Sequence, residues 1–175
     1  GVGNCASALV QGVTYYSGAK TEEQALGLRH LRLGGYHPRD IEFVSAFDIE
    51  SRKVGRDLAE AVFAKPNNAS KFAKVPKFGV QVLRAPTLDG LGPLTRKIIR
   101  ESGQREADVA EELKRSGAQV LVNLLPSGAV KGAEWYAEQA LEAGCAFVNA
   151  SPFFVASNVK WSRRFQKADI PLVGD

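Results

Sequence analysis

Apolar residues recur along this chain with two different spacings. From residue 7 to 16 they fall at helical intervals, with Leu9, Val13 and Tyr16 on one face. Residues 17–40 are polar and contain glycine, yet carry Leu26, Leu28, Leu31 and Leu33, as an ordered segment would. Residues 41–48 read as a strand ending in Asp48. Residues 50–64 read as a helix closed by Lys65, Pro66, Asn67 and Asn68. A second strand over 79–84 breaks at Ala85 and Pro86, and a helix over 107–115 ends at Ser116 and Gly117. Residues 119–125 form the most apolar strand and stop at Pro126. A helix over 129–143 ends at Gly144, and a short buried strand over 145–149 follows. The last pair is a helix over 159–168 and a strand over 170–173. Strands that alternate with helices of ten or so residues predict right-handed β-α-β units and a mainly parallel sheet. No internal repeat or low-complexity segment interrupts the series.

Composition narrows this picture only a little. A chain of 175 residues with 45% hydrophobic and 24% charged residues suits one soluble domain with a full core. Its 23 basic residues, for a net charge of +4, are scattered, so no dense basic patch points to nucleic acid. Cys5 and Cys145 make no disulfide framework and no C-x-x-C pair, which suits a reduced, cytoplasmic setting. No apolar run is long enough to span a bilayer, and no signal peptide is evident, so no membrane partner is expected. The chain has no methionine and opens on glycine, and is read as truncated.

Candidate chemistry starts at the first residue. Gly1-Val2-Gly3-Asn4-Cys5-Ala6 fits the G-x-G-x-x-G/A turn and runs directly into the first helix. In such a turn Gly1 would make the bend, Gly3 would let backbone approach a pyrophosphate, and Ala6 would allow close helix packing. The helix N-terminus would then stabilise the phosphate charge. The partner of this turn is an acid at the end of the next strand, which binds the adenosine ribose. Asp48 has that place, but lies 47 residues after Gly1 rather than the roughly 20 of a compact unit. An insertion at about 17–40 accounts for the excess. Ile49 and Arg52 follow closely and are further candidates for the ribose. The alternative is that Asp48 caps a helix beginning near Ser51.

Four strand ends carry polar or proline chemistry where an α/β sheet binds its ligands: Asp48, Arg84 to Thr87, Leu125 to Gly128, and Asn149 to Pro152. Turn chemistry alone can also select these residues. Other features have plainer readings. Cys5 is a small residue beside the turn, His30 and His37 are surface or packing histidines, and Trp135, Tyr136 and Trp161 pack helices on the sheet. No Ser-His-Asp group and no Cys/His metal cluster is present, so no metal is expected. From the residues alone the chain is a nucleotide-binding α/β domain.

The ordered runs GVGNCASALVQGVTYY, GGYHPRDIEFVSAFDIESRKVG, APTLDGLG, VNLLPSGA, AGCAFVNASPFFVAS and IPLVGD resemble the amino-terminal part of the inositol-phosphate synthase family, in its shorter prokaryotic form. The resemblance spans essentially the whole chain, insertion included. It implies a Rossmann-like, doubly wound, mainly parallel sheet, with residues 1–175 as an NAD-binding domain truncated at both ends. It also implies conversion of glucose 6-phosphate to inositol 1-phosphate, with NAD as a tightly held cofactor. NAD would oxidise carbon 5, acidify the proton on carbon 6 for an internal aldol closure, and return the hydride. A homotetramer is implied as well.

Carried over from the family, Gly1, Gly3, Asn4 and Cys5 correspond to the phosphate-binding turn, and Asp48 to the ribose acid. Thr87 and Asp89 correspond to the loop bordering the cofactor. Leu125, Pro126 and Ser127 correspond to the loop at the nicotinamide end, with Asn149, Ser151 and Pro152 beside it. Asp175 corresponds to the start of the acidic stretch leading to the substrate. The catalytic lysines are expected beyond Asp175, and Lys20, Lys53 and Lys131 are not their substitutes. The strand before Gly1, central in this topology, is expected to lie outside the sequence. Two other readings stay open: a fragment of an ordinary NAD-dependent dehydrogenase, and a non-catalytic nucleotide-binding module.

Overall fold

A computed structural model describes residues 1–175. Five strands and five α-helices alternate as the hydrophobic pattern predicts. They are α1 (Asn4–Tyr16), β1 (Ala46–Asp48), α2 (Leu58–Ala61), β2 (Val82–Arg84), α3 (Val109–Ser116), β3 (Val120–Asn123), α4 (Val130–Ala143), β4 (Ala146–Asn149), α5 (Val159–Ala168) and β5 (Leu172–Val173). All strand pairs are parallel, and they form two sheets, β1-β2 and β3-β4-β5. Ala46 pairs with Val82 in the first, and Val120 with Ala146 in the second. No helix is long and apolar enough to cross a membrane.

The three-stranded sheet carries the larger core. Phe147 of β4 is fully buried among Leu113 of α3, Ala137 and Ala140 of α4, and Trp161 and Phe165 of α5. Burial of one such aromatic side chain contributes about 1.5–3 kcal/mol. A smaller core joins Val2 and, from α1, Ala6 and Val10 to Ala46, Leu58, Val62 and Val82. The segment over 17–40 is ordered around Ala19, Ala25 and Leu31. His37 is buried there: its Nδ1 accepts from the Arg39 amide at 3.1 Å, which leaves Nε2–H to donate to the Ala19 carbonyl at 2.9 Å. The packing reading of this histidine therefore holds.

One expectation needs correction. Residues 50–57 are not helical, and α2 is only one turn. Gly55, at φ +87°, breaks the spiral, and the backbone there bonds sideways to the β2 segment: Gly55 N to Val82 O at 2.8 Å, Val82 N to Arg56 O at 2.8 Å, Leu58 N to Val80 O at 2.8 Å. A strand-like ladder outcompetes the helix that the side-chain spacing favours. The most apolar strand, moreover, is not the most buried. Val120 is 50% and Val122 37% exposed, because β3 has a neighbour only in β4.

The reason for that exposure lies between the two sheets. Consecutive residues of β1 and its approach (Phe43 to Phe47), and of β3 with the residue after it (Val120 to Leu124), line one apolar slot. Alternate residues would line a sheet face; consecutive ones line an edge. Both free edges thus look into the same slot. A single parallel strand placed there would give the order β2-β1-strand-β3-β4-β5, that of the doubly wound dinucleotide fold.

Candidate functional site

A cleft of about 420 Å³ opens where the two sheets meet, well inside the range of small-molecule sites (roughly 300–1,000 Å³). One wall is the glycine turn. The Gly3 backbone is extended at φ −86°, so no left-handed conformation calls for glycine, and a Cβ at Gly3 would meet no protein atom within 4 Å. Gly1 differs, since a Cβ there would lie 3.4 Å from the Leu124 carbonyl oxygen. Gly1 therefore packs against the end of β3, while Gly3 keeps open space beside the cleft.

The helix that follows starts with unpaired amides. No side chain caps α1, its first turn has no acidic residue, and the amides of Asn4, Cys5 and Ala6 donate to nothing in the protein. Other helix starts are satisfied internally: α2 by Asp57, α3 by Asp108, α5 by Asn158, and α4 by Asp89. Unpaired amides at a helix N-terminus carry the positive end of its dipole.

Asp48 sits at the floor of this wall. Its Oδ2 accepts from the Val2 amide at 2.6 Å, and its Oδ1 from the amides of Ile49 and Glu50 at 2.8 and 2.9 Å. The capping alternative is thus partly realised, although it closes a turn rather than a helix. A carboxylate offers about four acceptor positions, so one on Oδ2 stays available to a ligand hydroxyl. Ile49 lines the cleft. Arg52 turns away, its guanidinium held by Glu50 at 2.7 Å and by the Ile98 carbonyl at 2.7 Å.

The opposite wall comes from the ends of β2 and β3. Thr87, Asp89, Leu125 and Pro126 all line it. Thr87 Oγ1 is buried with no hydrogen-bond partner, an arrangement that costs about 1–3 kcal/mol unless a ligand satisfies it. Asp89 accepts from the amides of Lys131 and Gly132 at 2.8 and 2.7 Å, capping α4 and fixing the loop edge. Tyr136 packs on Phe47, as expected of a core residue, but also lines the cleft. Burial raises its pKa, with Asp48 adding to the effect, so the phenol stays neutral.

Five carried-over residues lie outside the cleft lining. Ser127 is exposed on the turn after Pro126. Asn149 is buried and shapes its own loop, accepting from Asn123 Nδ2 at 2.8 Å and donating to the carbonyls of Ser151 and Phe153 at 3.0 and 2.6 Å. Ser151 is buried beside it, and Pro152 is exposed. Asp175 accepts from the amides of Val155 and Ser157 at 2.8 and 3.0 Å, and these bonds hold its pKa below the ordinary value. Cys5 is an exposed thiol on α1.

Lys53 and Asn67 were not legible in the sequence as part of this site. Lys53 is only 3% exposed and lines the cleft, and Asn67 borders it from the loop after α2. Lys53 lay within the helix expected over 50–64, and Asn67 stood in a Lys-Pro-Asn-Asn stop, so neither spacing marked a ligand contact. Nowhere do three or more His, Cys, Asp or Glu side chains gather in a way that could hold a metal ion.

Fold and site together define an α/β protein of the Rossmann-like, doubly wound class, with parallel strands and a glycine turn at the sheet's switch point. The crystal structure of Ari2 has the same fold, at a TM-score of 0.83 and 36% identity, over all of this chain and 52% of that one. Along its 175 residues the chain is homologous to inositol-3-phosphate synthases. It is 51% identical to that of Corynebacterium glutamicum, 49% to that of Mycolicibacterium smegmatis and 48% to that of Mycobacterium tuberculosis. The chain spans about half the length of these relatives (48%). No family model matches it.

Proposed function

We propose that this chain is the NAD-binding portion of an inositol-phosphate synthase, which converts glucose 6-phosphate to inositol 1-phosphate without net oxidation. The observation that carries the reading is the glycine turn: free amides of α1 face a cleft in which Gly3 leaves room that no protein atom fills. Those features fit a pyrophosphate-linked dinucleotide. The amides of Asn4 and Cys5 bind its phosphates, the remaining acceptor position of Asp48 takes one ribose hydroxyl, and Thr87 Oγ1 gains the partner it lacks. NAD, when bound, supplies reversible hydride acceptance at carbon 5 of the sugar. Leu125, Pro126 and Tyr136 give that end of the cleft an apolar wall that excludes water. Ser127, Asn149, Ser151, Pro152 and Asp175 are proposed to shape the loops at the nicotinamide end, toward a substrate site built with residues after Asp175. Homology to named synthases over the entire chain supports the reaction class.

The test uses the full-length protein with glucose 6-phosphate and NAD. Formation of inositol phosphate with no net NADH is expected. NADH accumulating in step with substrate loss would instead assign an ordinary dehydrogenase, and NAD binding with no turnover would leave the non-catalytic nucleotide-binding reading.

A further inference from the structure

Lys53 is a charged side chain in an expensive place. It is nine-tenths buried or more, and no carboxylate lies within ion-pair distance of it. Glu50, nearby, is committed to Arg52 at 2.7 Å. Burial lowers the lysine's pKa, against the opposing pull of Asp48 and Glu50. A buried ion without a close partner costs several kcal/mol, and an apolar side chain of similar length would pack there without that cost.

The contacts of Lys53 indicate what the charge serves. Its Nζ donates to the Val2 carbonyl at 2.9 Å and to Asn67 Oδ1 at 2.8 Å. Asn67 in turn donates through Nδ2 to the same Val2 carbonyl at 3.0 Å and to the Val62 carbonyl at 3.0 Å. The Val2 amide donates to Asp48. Every hydrogen-bonding position of the Val2 backbone is therefore occupied, by three side chains from two other segments. Two residues further on, Asn4 is stitched to the loop holding Asn67: its Oδ1 accepts from the amides of Asn68 and Ala69 at 2.9 and 3.1 Å, and its Nδ2 donates to Asn68 Oδ1 at 2.8 Å. The free amides of α1 begin just beyond this fixed point.

We propose that Lys53 and Asn67 are positioning residues for dinucleotide binding: together they clamp the Val2 carbonyl, aim the α1 amides at the pyrophosphate, and place a buried positive charge beneath it. The ammonium has three donors and uses two on the protein, and it lines the cleft. An anion at the turn thus neutralises a charge that the fold leaves without a close partner. This inference rests on the NAD-binding reading above.

The test measures affinities of the full-length protein for NAD, ADP-ribose and adenosine, together with thermal unfolding, for wild type, Lys53→Met and Asn67→Ala. Lys53→Met should weaken NAD and ADP-ribose by about tenfold or more, since a hydrogen bond to a charged group is lost at the turn. Adenosine affinity should be unchanged, and the unfolding temperature equal or higher, because a buried charge has been removed. Asn67→Ala should show the same pattern with a smaller loss, and decides the matter if Lys53→Met does not fold. Unchanged ADP-ribose affinity in the folded variants overturns the clamp. So does an equal weakening of adenosine, which would mark a collapsed pocket. If wild type binds neither NAD nor ADP-ribose, the function reading falls and the clamp with it; wild-type binding matched by Lys53→Met removes the clamp alone.

Discussion

The two half-sheets of this molecule solve opposite problems. In the β3-β4-β5 half, helices are capped, Phe147 and Phe165 are sealed, and the polar groups of Asn123 and Asn149 satisfy each other. In the β1-β2 half, the amides of α1 are free, Thr87 Oγ1 on the β2 side has no partner, Gly3 faces empty space, and Lys53 is buried without an ion pair. Good packing accounts for the first half by itself. In the second half packing leaves polar groups unmet, and that contrast is what marks it as the candidate site.

Substitutions can sharpen or break this contrast, and the largest effect belongs to the sealed half. Phe147→Ala should destabilise the fold by about 3–5 kcal/mol in urea unfolding; a small loss would mean the half is less tightly packed than its burial indicates. Gly3→Ala probes the open half. Its Cβ meets no protein atom, so the fold should lose no more than about 1 kcal/mol, while NAD titration should detect no binding. Retained affinity would remove Gly3 from the pyrophosphate contact. Asp48→Ala should weaken NAD binding by about 1.5–3 kcal/mol, through the lost charge-assisted bond to ribose and the freed Val2 amide. An unchanged dissociation constant would leave Asp48 a purely structural turn residue. The smallest effect is expected for Thr87→Val, which keeps the shape and deletes an unsatisfied hydroxyl. Stability should hold or rise by about 1 kcal/mol as NAD affinity falls severalfold. A loss of stability would show that the hydroxyl already has a partner in the unliganded protein.

Some of the site was readable one residue at a time. Gly1, Gly3 and Asp48 stood out because their residue types and strand-end positions fit a phosphate turn and a ribose acid, and the structure does bring all three to one cleft. Helix α5 matched its expected bounds of 159–168, since its amphipathic period and Asn158 cap agree. Residues 50–57 were misread because local spacing favoured a helix while a backbone ladder to residues 80–82 offered more. Exposure of Val120 and Val122 was equally hidden, because apolarity says that a strand expects neighbours and not how many it has.

The order of elements, the parallel α/β class and the glycine turn before α1 were thus legible along the chain, because each depends on periodicity and on residues close in sequence. Tertiary structure alone decided that Lys53 and Asn67 meet at the Val2 carbonyl, 51 and 65 residues away, and that Thr87 is left without a partner. It also separated the residues that wall the cleft from Asn149, Ser151 and Asp175, which hold their own loops. Hydrogen-bond satisfaction is a property of three-dimensional neighbourhoods, and no one-dimensional pattern records which buried groups remain unpaired.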